Sequence, residues 1–464
     1  MQTAGQIRWQ DLGTARADSA GGNAVELTGF PVCAPATASA SSFLLVPEPA
    51  CCPGCAPRNR SAVVEVSSRA PVPMRSGALR LRGEWHVRHD SAEDWRYRLT
   101  AAELVEPPGW RGLTRRGVLA AGPLICLAAG ARPAGAAEAR AVIEAVPAID
   151  MHSHAGGIAS VSRIGAGVGF SPIAMPMRVG GMAVACLAIV SDGPTHHVVN
   201  GYIRPYRDPA PGELSAYAER AFSRLAELIH SEGLRLVASR ADMAAARAGV
   251  PSAIVSAEGA DFLEGSLERL DEAYARWTLR HLQLTHYRVN ELGDIQTELP
   301  VHNGLTEFGA AVVRHCNRLG IVVDLAHATM PMVQRAAEVT AKPLVLSHTS
   351  LIIGPSRFSR RITAEHARLI AGTGGVVGIW PPRSEFPTMA ALAAGMARMV
   401  DAVGIDHVGL GSDIRGLVGT SMFPDYDQLP ALAEALLDAG FRNEDVGKVL
   451  GGNYARVMGA ALSG

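Results

Sequence analysis

IVVDLAH, residues 321–327, is an apolar, β-branched run that ends on an imidazole, and it has close companions along the chain. AIDMHSH (148–154), AIVSAEG (253–259), HLQLTH (281–286) and PLVLSH (343–348) follow the same plan, and HVGLGSD (407–413) ends on a carboxylate. Strands of a parallel sheet are covered by helices on both faces, so they read as continuous hydrophobic runs. When such a sheet closes into a barrel, polar residues just past the strand ends converge over its mouth. The six segments therefore predict a barrel that gathers His152, His154, Glu258, His286, His327, His348 and Asp413 at one rim. A lone histidine at a strand end is usually a structural residue; a series of them at successive strand ends is a metal-ligand pattern.

Working outward, eight strands are predicted: Val146–Met151, Ala183–Val190, Ala253–Ala257, His281–Thr285, Ile321–Leu325, Pro343–Ser347, Gly375–Trp380 and His407–Gly411. Helical periodicity falls between them at Glu213–His230, Leu267–Thr278, Gly304–Leu319, Pro331–Val339, Thr363–Ala371 and Met389–Val403, with Thr363 placed to cap its helix. Further helices near Leu429–Ala439, Asn443–Leu450 and Tyr454–Ala461 are expected on the outside. The fold class is α/β, a (β/α)8 barrel of the TIM type with extra C-terminal helices. Such a barrel needs about 250 residues, and residues 138–464 supply them as one domain.

Composition narrows the function. A formal net charge of −1 gives no electrostatic case for nucleic acid or an acidic partner, and no apolar run reaches the roughly 20 residues that must span a membrane. No internal repeat is present. Five of the seven cysteines precede Glu138, leaving Cys186 in a strand and Cys316 in a helix as small buried hydrophobes.

The segment Leu113–Ala137 differs in character. Arg115 and Arg116 precede a short Gly/Ala-rich apolar run, and Ala134-Gly135-Ala136 offers small residues for a signal peptidase, the order found in a twin-arginine export signal. Pro123 stands ahead of Cys126 where a lipoprotein signal wants an aliphatic residue. Export to the periplasm is the expectation, with membrane anchoring if the signal stays attached. Residues 1–112 are rich in Ala, Ser, Pro and Arg without sustained periodicity. They are expected to be a disordered extension, or one that is not translated. Cys51, Cys52 and Cys55 make half a zinc site without a second ligand pair.

The region from Asp150 to Arg456 resembles the membrane dipeptidases, also called renal dipeptidases, a family of binuclear zinc metallopeptidases. Glu258-Gly259, Leu284–His286, GLTEFGAAVVRHCNRLGIVVDLAHAT (304–329), SHTS (347–350), VDAVGIDHVGLGSD (400–413) and DVGKVLGGNYARVM (445–458) carry the resemblance, in family order. It implies two zinc ions bridged by Glu258, one held by His152 and residue 154, the other by His327 and His348. A water between the ions would be acidified towards neutral pH and attack the amide carbon of a small peptide. His286 would hydrogen-bond the carbonyl oxygen as charge develops on it. Asp413 would take the proton from the water and pass it to the leaving amine. Arg361 in SRRIT aligns with a family arginine that grips the substrate carboxylate, with Arg357 and Arg360 as neighbours. Homodimers are frequent in the family.

Two departures stand out. The family carries His-x-Asp on the first strand, whereas this chain has His152-Ser153-His154, so one negative charge is missing; zinc accepts either ligand. Arg415 stands two residues after Asp413, where an acidic residue is usual, and the loop Pro194–Pro211 shows no match to the family. Dipeptide hydrolysis is the leading expectation. Hydrolysis of another amide or a lactone, such as an N-acyl amino acid or a β-lactam, and a catalytically silent binding barrel are the alternatives.

Overall fold

The computed structural model describes residues 5–7, 9–12, 15–32, 39–46, 63–73, 79–87, 97–105, 135–158, 170–199, 202–352, 359–417 and 419–462. The chain divides into two compact units, one of residues 1–130 with 200–202 and one of residues 131–199 with 203–464.

Within residues 1–112, expected to be a disordered or untranslated extension, the described residues include a sheet. Six strands, β1 (Gly5–Gln6), β2 (Ala24–Val32), β3 (Ser39–Val46), β4 (Val64–Pro73), β5 (Leu79–Val87) and β6 (Tyr97–Leu104), form one sheet. It closes on itself through the β2–β5 pairing, while β4 and β6 run parallel. The sequence LRLRGEWHV in β5 shows why it folds: Leu79, Leu81, Gly83 and Trp85 alternate inward against outward Arg80, Arg82 and Glu84. Inside, Trp85 stacks on Tyr97 at 5.2 Å and donates its indole N–H to Ala17 O at 2.9 Å. Glu26 accepts from both Arg80 and Arg82 on the outer face. Residues 113–134 of the twin-arginine-like stretch and Cys51, Cys52, Cys55 and Cys126 lie outside the described residues.

The second unit is the expected barrel. Its strands are β7 (Ala148–Ser153), β8 (Met182–Val190), the short pair β9 (His196–Val199) and β10 (Tyr202–Pro205), the two-residue β11 (Arg235–Leu236), β12 (Ser252–Glu258), β13 (Leu279–Gln283), β14 (Val322–Asp324), β15 (Val345–Thr349), β16 (Val376–Ile379) and β17 (Val408–Leu410). Eight of them pair in parallel in the order β12-β13-β14-β15-β16-β17-β7-β8, and β8 returns to β12 to close the ring. β9 and β10 pair apart as a hairpin, and β11 edges β12. The predicted helices appear at Glu213–Ser231, Glu268–Trp277, Glu307–Leu319, Met330–Val339, Ala364–Gly372 and Met389–Val403. Thr363 does cap its helix, accepting from His366 N.

Each strand splits its side chains between two cores, as the two-residue period requires. Ala253, Val255, Ala257, Leu344 and Leu346 face outward into the helix layer. Ile149, Val184, Cys186, Ile254, Val322, Val345 and Val376 face inward, and there they meet Tyr454, Val457 and Met458 of the last helix, Asn453–Ala461. That helix thus plugs the floor of the barrel, a correction to the expectation that all the C-terminal helices lie outside. The reason is Tyr454, whose hydroxyl reaches His281 Nδ1 at 2.6 Å inside the barrel. Helix Leu429–Asp438 keeps to the outside and packs on helix Ala136–Ala145. Cys186 and Cys316 are buried free thiols. Among the described residues no helix is long and apolar enough to cross a membrane.

Candidate metal centre

Above the apolar floor the barrel interior turns polar, through Ser256, His281, Gln283, Asp324 and Ser347, all fully buried. At the rim the strand ends deliver the expected side chains to one point, the carboxylate of Glu258 at the end of β12. Five imidazole Nε2 atoms face it: His154 at 3.0 Å, His286 and His327 at 3.3 Å, His348 at 3.4 Å and His152 at 3.5 Å. Asp413 Oδ1 lies 3.5 Å from His154 Nε2 and 4.0 Å from His152 Nε2. All seven residues are at most 6% exposed.

Backbone geometry aims these groups. The end of β7 is stitched to the segment after β17, with Asp413 N donating to His152 O and His154 N to Ile414 O, both at 3.0 Å. Beneath them Asp150 accepts from Ser412 N at 2.8 Å, from the Ser412 hydroxyl and from Tyr426 OH at 2.9 Å. His327 and Asp413 adopt left-handed backbone, with φ of 71° and 48°. Non-glycine residues hold that conformation only when their surroundings enforce it, and such residues cluster at functional sites.

The far ring nitrogens complete the arrangement. His154 Nδ1 meets Ala188 O at 2.8 Å, His348 Nδ1 meets Ser347 Oγ at 2.9 Å, and His286 Nδ1 meets Asp192 Oδ1 at 2.7 Å. Such partners set the tautomer and turn Nε2 toward a ligand.

The donor set fits two divalent ions. His152 and His154 bring their Nε2 atoms to 3.2 Å, as do His327 and His348. Two nitrogens on one tetrahedral zinc, each about 2.0–2.1 Å away, stand about 3.3 Å apart. Facing lone pairs at that distance repel unless a cation or proton lies between them. The buried groups His152, His154 and Glu258, and Glu258, His286 and His327, each bring their ligand atoms within 4.8 Å of one another.

Electrostatics point the same way. Burial pushes His152 down to about 3 and, with the Arg360 charge, holds His327 and His348 well below the usual imidazole range, so these rings present neutral nitrogens. Burial also opposes charge on His154, but the hydrogen bond and charge of Glu258 and the charge of Asp413 prevail and lift it to about 9. A cation there would replace that proton. Burial raises the Glu258 carboxyl, yet the facing His286 and His152 hold it well below the usual value. Burial foremost, with Glu258 adding repulsion, pushes Asp413 up to about 7.

The arginines separate. Arg360 is 8% exposed; its guanidinium donates to Gln296 Oε1 at 3.0 Å and His348 O at 3.3 Å and lies over Trp380 at 5.5 Å. Arg361 is half-buried on the Glu385 side, where burial raises the Glu385 carboxyl and the Arg361 charge works against that rise. Arg357 lies outside the described residues. Sequence reasoning named Arg360 only as a neighbour of Arg361 and missed the residues behind the rim: Asp150, Asp192, Asp324 and Ser347. Asp150 and Asp324 did carry a signal, an acid inside an otherwise apolar run.

Such a rim on such a barrel defines the class of metal-dependent barrel hydrolases. Within it, the family model described as Membrane dipeptidase (Peptidase family M19) matches residues 218–463, and the chain belongs to that family. The dipeptidase aclJ of Aspergillus oryzae is 32% identical over 217 residues, 45% of this chain and 51% of the relative. The dipeptidase verJ of Clonostachys rogersoniana is 28% identical over 218 residues, 46% of this chain and 56% of the relative. The chain thus spans about half the length of these curated relatives. Two solved structures share the fold. One is an amidohydrolase from Pseudomonas aeruginosa (TM-score 0.55, 19% identity, 70% of this chain and 99% of that one). The other is a metallo peptidase from Rhodobacter sphaeroides liganded with a phosphinate mimic of the dipeptide L-Ala-D-Ala (TM-score 0.56, 22% identity, 68% and 99%).

Proposed function

We propose that this chain hydrolyses dipeptides at a centre of two zinc ions. The observation that carries the reading is the convergence of five buried imidazoles on Glu258, with the Asp413 carboxylate alongside. His152 and His154 would hold one ion, His327 and His348 the other, and Glu258 would bridge them. Ions bound there would supply an activated water and polarise the scissile carbonyl. His286 would offer Nε2 to the carbonyl oxygen, where negative charge grows in the transition state. Asp413, beside His154 and His152, is placed to take a proton from that water and pass it to the leaving amine. The substrate carboxylate needs a cation near this rim. Arg360 suits that role because its buried guanidinium has only neutral hydrogen-bond acceptors, whereas Arg361 has Glu385 nearby.

Metal per chain and amino-acid release from L,L- and L,D-dipeptides, measured on one preparation, test the reading. Close to two zinc ions with turnover that Glu258→Gln abolishes would support it. His154 in place of a carboxylate favours a second reading, another amide or a lactone; full metal occupancy without dipeptide turnover would select that one. Absence of metal would leave a silent binding barrel. Twin-arginine export rests on the sequence of Leu113–Ala137 alone, and N-terminal sequencing of the natural protein tests it. Dimerisation is tested by the mass in solution.

A further inference from the structure

Asp192, just past the end of β8, is a buried acid beside the rim that the proposed chemistry leaves without a task. Its carboxylate is 0% exposed. Oδ1 accepts from His286 Nδ1 at 2.7 Å and Oδ2 from Tyr287 N at 3.0 Å. A second imidazole lies against the same oxygen, with His196 Nδ1 3.2 Å from Oδ1 but not aligned for a hydrogen bond. The Asp192 carbonyl also takes Thr195 N at 2.9 Å and Thr195 Oγ1 at 2.7 Å. These bonds fold the turn Gly193–Thr195 that launches β9, on which His196 is the first residue. One residue therefore touches the presumptive carbonyl-binding imidazole with its side chain and the base of the β9–β10 hairpin with its backbone.

We propose that Asp192 is the positioning residue for His286, and that His196 braces Asp192 from the hairpin. An ionised carboxylate only accepts, so His286 must present Nδ1–H to it, which leaves Nε2 as the atom directed at Glu258. A half-turn of the ring would put carbon against Oδ1 and forfeit the bond. The bond thus selects one of two ring orientations, and only that one aims nitrogen at the reacting carbonyl. His196 packs edge-on to His286 at 5.5 Å, and Tyr287 packs edge-on to it at 4.6 Å, so the ring is also confined sideways.

The catalytic half of the inference rests on the dipeptidase reading; the orientation half does not. Both oxygens of Asp192 accept N–H groups, so in Asp192→Asn the amide NH2 must face one of these donors. In the zinc-loaded full chain, Asp192→Asn is expected to lower kcat for dipeptides roughly 10–100-fold, with KM within threefold and zinc content unchanged. His196→Leu should lower kcat by a smaller factor in the same way, and His196→Asn, whose amide stands where Nδ1 faces Oδ1, should recover most of it. Independently of any substrate, the Nδ1 proton resonance of His286 in 15N-histidine-labelled enzyme should move or vanish in Asp192→Asn. An unchanged resonance overturns the proposal, and so does unchanged kcat in an active enzyme. If the wild-type chain turns over no dipeptide, the functional reading fails while the resonance still decides the orientation.

Discussion

Arg360 and Arg361 are neighbours in the sequence but occupy different surroundings in the fold. A buried guanidinium costs free energy unless it is bonded, and a carboxylate partner repays that cost better than neutral oxygens do. Arg360 has only Gln296 Oε1 and His348 O. A peptide's terminal carboxylate would complete it. Arg360→Ala is accordingly expected to reduce kcat/KM for free dipeptides by about 2–5 kcal/mol, and to change it little for the same dipeptides amidated at the C-terminus. Arg361→Ala should have the smaller effect. Steady-state kinetics on both substrate series check this, and the reverse ranking would return the carboxylate to Arg361. At this scale the side chains gathered at the rim were readable from sequence because each ends an apolar run. Their supports were less so. Asp150 and Asp324 interrupt apolar runs and were detectable, whereas Asp192 sits in Ser-Asp-Gly-Pro, which reads as an ordinary turn.

Among the elements, all eight barrel strands arose within a few residues of their predicted bounds, because burial on both faces leaves an unbroken apolar signature. The N-terminal strands show the opposite pattern, alternation, and short stretches of it are easily lost among Ser, Pro and Arg. The last helix was recognised, but its place was not, since nothing local tells a floor plug from an outer helix. Helix Ala364–Gly372 yields a prediction of its own. His366 is 3% exposed with no partner for Nε2, and burial alone pushes its imidazole from 6.5 down to about 4. Between those values the unfolded chain takes up a proton that the folded helix refuses. Stability is therefore lost as pH falls below 6.5, and the loss levels off near 4. At pH 5 this amounts to about 2 kcal/mol. Denaturant melts of wild type and His366→Leu at pH 7 and pH 5 should differ in acid loss by that amount. Equal losses would mean that the imidazole finds a partner in solution.

For the whole molecule, the division into two units has a thermodynamic consequence. The N-terminal sheet buries Leu27, Leu81, Trp85 and Tyr97 in a core of its own, and the barrel carries its cores separately. Only the barrel holds the imidazole and carboxylate cluster around Glu258. Ligands that bind the native state stabilise it by mass action, about 2.7 kcal/mol per site at a free concentration one hundred times Kd. For a unit of the barrel's size each kcal/mol moves Tm by about 2–4 °C. Calorimetry of the zinc-loaded chain should thus show two transitions. Chelation should lower the barrel's Tm by roughly 5–10 °C per vacated site, and leave the N-terminal transition where it was. Glu258→Gln should reproduce the chelated position of the barrel transition without chelator, because a bridging amide lacks the charge that holds two cations together. A single transition moving as a whole would show that the two cores unfold as one. A chelator-insensitive barrel would show that the Glu258 cluster holds protons in place of ions, and would remove the metal from the proposed chemistry.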